Sequence, residues 1–220
     1  MSEDLKLVLA EGISALGLSL GEEAQKQLLD YMALIQKWNK VYNLTALRDS
    51  QEILTHHLLD SLSAIGPLMQ QTRSLDGAFS FLDVGSGGGL PGVVIAICCP
   101  GVKVTCVDAV SKKAAFVQQV AASLKLGNLK GIHARVETLS GPFDVIGSRA
   151  FASLPDFVNW SSGALVDGGV WMAMKGKLPE EEMSALPTMA QVFHVEQLLV
   201  PGLNAERCMV WMKKSTALSA

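Results

Sequence analysis

Cysteine is scarce in this chain: four in 220 residues, at positions 98, 99, 106 and 208, without the spacing of a metal site. Cys98 and Cys99 are too close to pair easily, and Cys106 falls in an expected buried strand. Reduced core thiols are therefore expected, and no metal. Long apolar runs are also missing. None reaches the ~18 residues of a membrane span, and no cationic stretch followed by an apolar one opens the chain. A cytoplasmic protein with no membrane partner is the expectation, and a monomer. Positive charge is not in excess: 18 Lys and Arg face 21 Asp and Glu, a net of −3, with a pI near 5.8. That argues mildly against a large non-specific grip on nucleic acid and leaves room for a local basic face. Apolar residues, at 49 %, suffice for a sizeable core in one large domain or a domain with an appendage.

One segment carries most of the chemical information, Phe81-Leu82-Asp83-Val84-Gly85-Ser86-Gly87-Gly88-Gly89-Leu90-Pro91-Gly92. It has the pattern of a buried strand that breaks into a glycine loop and opens a helix. A parallel α/β sheet receives a nucleoside cofactor with that geometry. A dinucleotide loop needs Gly-x-Gly-x-x-Gly and an acid roughly 20 residues further on. Here the glycines at 85, 87 and 89 give Gly-x-Gly-x-Gly, and Leu90 stands where the third dinucleotide glycine would be. Asp83, at the strand's carboxyl end, would repel a pyrophosphate but favour the ammonium group of S-adenosylmethionine (SAM). Asp108 ends the next strand-like run, 102–107, where its two oxygens can accept both ribose hydroxyls. SAM is the favoured cofactor. A nicotinamide or flavin, and a plain structural turn with a solvated Asp108, are the alternatives.

The first 75 residues have helical periodicity. Ser19-Leu20-Gly21-Glu22 matches a capping box, followed by Leu28, Tyr31, Met32, Ile35, Trp38 and Tyr42 on one face. Asp49 to Glu52 signals another helix start, with Ile53, Leu54, Leu58, Leu62 and Ile65 on one side and Gly66-Pro67 weakening its end. From residue 79 strands and helices alternate, predicting strands near 79–84, 102–108, 129–133, 143–148 and 169–175. The intervening helices fall near 90–98, 111–126, 154–166 and 179–189, with Ser111 capping the second and Gly127-Asn128 ending it. Two β-rich runs, 190–200 and 206–213, flank the turn Pro201-Gly202-Leu203-Asn204. The expected fold is α/β and Rossmann-like, of the class I SAM methyltransferase type. It has a seven-stranded mostly parallel sheet closed by a C-terminal antiparallel hairpin. The expected division is a helical segment, 1–75, packed on a catalytic domain, 76–220.

Several segments together are more particular than the loop. They are Lys37-Trp38-Asn39-Lys40-Val41-Tyr42-Asn43-Leu44-Thr45, His57-Leu58-Leu59-Asp60-Ser61-Leu62, Leu90-Pro91-Gly92, Asp108 with Lys112-Lys113, Arg135-Val136-Glu137 and Ser148-Arg149-Ala150-Phe151-Ala152-Ser153. Over nearly its whole length the chain resembles the RsmG (GidB) family. These are bacterial methyltransferases that modify N7 of a guanosine in the 16S ribosomal RNA of the small ribosomal subunit. The resemblance implies SAM as cofactor and 16S rRNA in the small subunit as partner. It also implies cofactor contacts at Gly85, Leu90, Val136, Glu137 and Arg149.

The residues support that chemistry. Candidate cofactor-binding positions are Asp83, Gly85, Ser86, Gly87, Gly89, Leu90, Asp108, Ala109, Arg135, Val136, Glu137 and Arg149. Arg149, Asn43 and His57 are the candidate catalytic residues. Asn43 and His57 either frame the target pocket or tie helices together. Arg149 leaves the fourth strand at the ligand-binding edge of the sheet, where it meets the cofactor or guanine O6. Phe151 either stacks on a base or packs, and Lys175 either meets RNA phosphate or is solvated. Methyl transfer from a sulfonium is an in-line displacement that needs positioning above all. Guanine N7 has an in-plane lone pair and no proton to lose, so a strong general base is unnecessary. Accordingly, no Asp/Asn-Pro-Pro-aromatic motif follows the fourth strand. Two other functions remain open at this point: a SAM enzyme with a small-molecule or protein acceptor, and an NAD-dependent oxidoreductase or nucleotide-binding module.

Overall fold

A computed structural model describes residues 3–215. Helices α1 (Glu3–Ala15), α2 (Glu22–Tyr42), α3 (Ser50–Ile53), α4 (Asp60–Leu62) and α5 (Ile65–Gln71) come first, with a π-helical turn over Leu54–Leu59 joining α3 to α4. The remainder alternates: β1 (Ser80–Val84), α6 (Gly92–Cys98), β2 (Lys103–Asp108), α7 (Ser111–Ser123), β3 (Leu129–His133) and β4 (Phe143–Arg149). Then follow α8 (Leu154–Ser161), β5 (Leu165–Lys175), α9 (Glu180–Ser184), β6 (Ala190–Gln197) and β7 (Cys208–Lys214). The seven strands form one sheet in the order β3-β2-β1-β4-β5-β7-β6. The first five run parallel, β7 pairs antiparallel with β5, and β6 pairs antiparallel with β7. Among the described residues no helix is long and apolar enough to cross a membrane.

Side chains alternate between two cores, as a strand's two-residue period dictates. Phe81, Val104, Cys106, Val145, Met172, Met174, Met209 and Trp211 face one side, where they meet α1, α2, α6 and α7. Leu82, Val107, Ile146, Trp171, Ala173, Val210 and Met212 face the other, packed against Leu154, Phe157 and Val158 of α8. Both faces being covered explains why the central strands are almost continuously apolar. Each buried large side chain contributes about 1.5–3 kcal/mol. The two buried indoles are satisfied: Trp171 Nε1 donates to Ser161 Oγ at 2.9 Å, and Trp211 Nε1 to Glu196 Oε1 at 2.8 Å. The N-terminal helices join the first core without a break, through Leu28, Tyr31, Met32 and Ile35. Trp38 of α2 stands 5.3 Å, centroid to centroid, from Phe116 of α7.

The structure corrects several local expectations. The Ser19 capping box does not form: Gly21 is the N-cap of α2 with no side-chain bond, and Gln25 Nε2 instead donates to Leu20 O. Gly66-Pro67 opens α5 rather than ending the preceding helix, because proline's missing N–H costs nothing in a first turn. Ser111 does not cap α7. Asp108 Oδ1 accepts from Val110 N, and Lys125, at φ 55°, rather than Gly127 takes the left-handed position after the helix. The helix expected over 154–166 ends at Ser161, and β5 begins four residues before the predicted strand start, at Leu165; the helix expected over 179–189 is confined to Glu180–Ser184. Asp49 does cap α3, accepting from the backbone N of Gln51 and Glu52.

Candidate active site

The carboxyl ends of β1, β2 and β4 and the loops that follow them line two cavities that meet at Gly85. The glycine loop is held from both sides. Gly85, Gly87 and Gly89 all have positive φ, 63°, 56° and 89°. Ser86 N donates to Val107 O, and Gly89 N donates to Ser86 O at 2.7 Å. Tyr31 Oη, from α2, donates to Gly88 O, so the N-terminal helices fix the loop directly. Gly89 lines neither cavity; it sits in the turn, where a Cβ would strike Val93.

Asp83 is the largest departure from expectation. Its carboxylate is wholly buried and lines neither cavity. Oδ2 accepts from Gly92 N at 2.8 Å, and Oδ1 has no partner. Burial pushes its carboxyl up to about 7. The expected direct contact with a ligand ammonium is therefore corrected: Asp83 ties the start of α6 to β1 and acts on the loop from behind.

Asp108 lies at the mouth of the narrower cavity, of about 190 Å³, with Gly85, Ala109, Arg135, Val136, Glu137, Phe151 and Trp160. Its Oδ2 accepts from Gly87 N at 2.9 Å and its Oδ1 from Val110 N at 2.8 Å. Each oxygen retains a second lone pair, so the carboxylate sets the loop and still offers acceptors to the cavity. Val136 is buried, and Arg135 is exposed with its guanidinium 3.1 Å from Glu137 Oε1. Phe151 packs against Gly85 and meets Trp160 edge to face at 5.9 Å. Trp160 was not anticipated. It lies off the buried face of α8 formed by Leu154, Phe157, Val158 and Ser161, and an aromatic off the apolar face of an amphipathic helix was the available signal.

The larger cavity, of about 590 Å³, joins Gly85, Ser86, Gly87 and Leu90 to residues of the N-terminal helices and the sheet edge. Arg149 and His57 line it; Asn43 does not. Arg149 NH1 donates to Asp60 Oδ2 at 2.7 Å and to His56 O at 3.0 Å. His57 Nδ1 is 3.1 Å from His56 O and Nε2 is 2.7 Å from Thr45 Oγ1, which in turn accepts from Leu47 N. A carbonyl only accepts, so Nδ1 carries the hydrogen and Nε2 accepts from the threonine hydroxyl. Burial, helped by the Arg149 charge, pulls His57 down to about 4, so it stays neutral at physiological pH. Asn43 is exposed at the end of α2 in the left-handed conformation, φ 49°, with Oδ1 accepting from Arg48 NH2. Its placement in the target pocket is thus corrected to a helix-ending role. Asn39 is the buried amide of that region, bonded to Leu47 O and Thr45 N. Lys175 lines the cavity but is engaged, donating to Ala152 O and pairing with Glu182 Oε2 at 2.8 Å. Ala150, next to Arg149, is held at φ 52°, a strained conformation for a residue with a side chain.

The strand order, with an antiparallel β7 between β5 and β6, is not the 3-2-1-4-5-6 order of dinucleotide folds. The same fold recurs in the N-methyltransferase NodS from Bradyrhizobium japonicum WM9, with TM-score 0.53 and 12% identity over 71% of this chain and 97% of that one. It recurs in TrmN from Thermus thermophilus, with TM-score 0.52 and 16% identity over 74% and 53%. The sequence profile of the rRNA small subunit methyltransferase G family, GidB, matches residues 24–210. The chain belongs to that family. It is 62% identical over 221 residues to the ribosomal RNA small subunit methyltransferase G of Paracidovorax citrulli (strain AAC00-1), covering 96% of this chain and 91% of the relative. The enzyme of that name in Acidovorax sp. (strain JS42) is 64% identical over 211 residues, covering 93% of each.

As a GidB protein the chain is a methyltransferase whose cofactor is SAM, and the nicotinamide alternative falls. The cavities fit the cofactor on their own terms. Ser86 Oγ is buried without a partner, a Cβ at Gly87 would meet only a distant carbonyl, and Asp108 keeps free acceptor lone pairs on the narrower cavity. Asp108→Ala is expected to lower SAM affinity by about 10- to 100-fold. Stability should drop by about 1–3 kcal/mol as the Gly87 and Val110 amides lose their acceptor. Calorimetric titration and thermal denaturation check both. Unchanged affinity would remove Asp108 from the site.

Proposed function

We propose that this protein transfers the methyl group of SAM to N7 of a guanosine in the 16S rRNA of the small ribosomal subunit. The name shared by its relatives supports the RNA acceptor, and the family resemblance of the Trp-Asn-Lys and Ser-Arg-Ala-Phe-Ala segments supports the atom. The observation that carries it is the larger cavity. It is lined by Lys113, Arg149, Lys175 and Arg207, the two arginines meeting on the buried carboxylate of Asp60 and Lys175 pairing with Glu182, and its imidazole is locked neutral with Nε2 already occupied. Such a wall attracts a polyanion and lacks a free base. Guanine N7 is an acceptor that needs none.

In this assignment the narrower cavity takes the adenosine. Asp108 accepts from the ribose hydroxyls, the backbone of Ala109 and Glu137 and the Val136 side chain flank the base, and Phe151 and Trp160 close its outer side. Gly85, Ser86, Gly87 and Leu90 border the methionine end. SAM supplies an electrophilic methyl on a sulfonium. The protein's part is to hold the guanine edge in line with it, exclude water and tolerate a cationic product. The helical segment up to residue 75 builds the acceptor wall on a catalytic domain that begins at residue 76, and the protein works as a cytoplasmic monomer.

Purified protein incubated with labelled SAM and either unmethylated small subunits or their free 16S rRNA tests the assignment. One N7-methylguanosine, mapped by borohydride-induced chain scission, is the expected product. Label on another atom, or none on either substrate, refutes it.

A further inference from the structure

Three residues far apart in sequence converge on one wall of the larger cavity. Asp60 comes from the turn after the π-helical segment, Arg149 from the end of β4 and Arg207 from the strand-start of the C-terminal hairpin. Asp60 is buried, and its two oxygens are divided between the arginines: Oδ2 accepts from Arg149 NH1 and Oδ1 from Arg207 Nε, each at 2.7 Å. The second anchors are backbone carbonyls, His56 O for Arg149 and Glu206 O for Arg207. Both guanidinium groups line the cavity, and neither is fully exposed.

The donors left over decide what this wall can hold. Arg149 NH1 spends both hydrogens on Asp60 and His56, which leaves Nε and NH2, the latter 3.5 Å from His57 Nδ1. Arg207 spends Nε and one hydrogen of NH1, which leaves NH2 untouched by any protein acceptor. The wall therefore presents fixed N–H donors, and its one carboxylate, Asp60, is buried and turned towards the two arginines. On a guanine's outer edge O6 is the immediate neighbour of N7, so a group beside a reacting N7 faces O6. Adenine presents an amino donor at that place, which would meet these N–H groups head on. Two bare guanidinium charges would oppose a base that becomes cationic on methylation. The buried Asp60 cancels one of them while holding both in place.

Resting on the function proposed above, we propose that Arg207 contacts O6 of the target guanine together with Arg149, and that Asp60 is the positioning residue that aims the pair. The assignment makes the clamp a purine-selecting device and gives the C-terminal hairpin a part in specificity.

The test uses small subunits reconstituted with guanine, hypoxanthine or 2,6-diaminopurine at the mapped position, and wild-type protein beside Arg207→Gln, Arg207→Lys and Asp60→Asn. The wild type should methylate guanine and hypoxanthine alike and discriminate against 2,6-diaminopurine by on the order of 10- to 100-fold, the range of one arginine–base contact. Arg207→Gln and Asp60→Asn should shrink that ratio towards one and lower kcat, while SAM affinity stays within about threefold, a small shift on the free-energy scale. Arg207→Lys keeps the charge but not the fork, so it should fold, bind SAM and still lose the preference. A lowered affinity for subunits with the base preference intact would place Arg207 on a phosphate and overturn the assignment. So would variants with wild-type kcat and preference. A wild type that methylates no guanine N7 would instead refute the function itself.

Discussion

Gly85→Ala is expected to abolish methyl transfer and to weaken SAM binding by about 100-fold or more, the largest single-residue effect in the molecule. Two independent terms add at this position. Gly85 sits at φ 63°, where a Cβ is opposed by its own backbone at a cost of about 1–2 kcal/mol. The Cβ would also penetrate the Phe151 ring. Phe151 cannot retreat freely, because Trp160 stands edge-on behind it at 5.9 Å and Ala150 before it is already held at φ 52°. Displacing a packed ring in this way costs about 1–3 kcal/mol more. Because Gly85 borders both cavities, the displacement changes the adenosine side and the acceptor side together. Gly88→Ala is the control, since its Cβ meets nothing within 4 Å. It should retain SAM affinity and activity within about threefold, a small change in free energy. Isothermal titration with SAM and a labelled-methyl assay distinguish the two variants. Equal affinities would mean that the loop tolerates a side chain at its tightest point.

What could be read from the residues, and what could not, follows from how far each feature reaches along the chain. The run from Phe81 to Gly92 predicts strand, loop and helix because hydrophobic period and glycine spacing are local, and β1, the loop and α6 lie where they were expected. The hairpin of β6 and β7 was legible for the same reason, through Pro201 and Gly202 between two β-rich runs. The π-helical turn at Leu54–Leu59 leaves no such trace, since its residues have an ordinary helical pattern and only the backbone bonding differs. Such turns often mark functional segments, and here the turn carries His56 and His57. The Asp60 clamp was invisible because its partners lie 89 and 147 residues away. Spacing rules address neighbours on one element, not three elements meeting at a sheet edge. For Asn43 two roles were open, and the structure favours the helix-ending one. An asparagine directly after the last periodic residue of a helix, Tyr42, is the usual sign of a left-handed helix end.

Asp83 should contribute a stability that is lost as pH rises from about 4 to about 7, against the opposite trend from His57, which is lowered from 6.5 to about 4, and Asp83→Asn should remove the Asp83 part alone. The Asp83 carboxyl has an ordinary value of 3.8 in the unfolded chain, and burial raises it to about 7 in the fold. Between those limits the folded protein keeps a proton that the unfolded chain has lost, so folding takes up a proton and each rise in pH works against it. The contribution is complete below about 4 and is lost as pH climbs through the folded value, at about 1.4 kcal/mol per unit and about 4 kcal/mol in all. Above about 7 both states are ionised and the dependence ends. Charge on Asp83 is costly because only Gly92 N and the weak donor Cys106 Sγ reach it, both at Oδ2, and Oδ1 stays unpartnered. The neighbouring Arg149 is already shared with Asp60. Asparagine keeps an acceptor for Gly92 and cannot ionise, so at pH 8 the variant should equal or exceed the wild type in stability, whereas at pH 4 the wild type regains its advantage. The other 20 acidic residues contribute to both proteins alike, so the quantity to measure is the difference between two denaturant-unfolding series across that range. Parallel curves would show that Asp83 ionises as an ordinary carboxylate. The loop would then be held by a buried charge rather than by a shared proton.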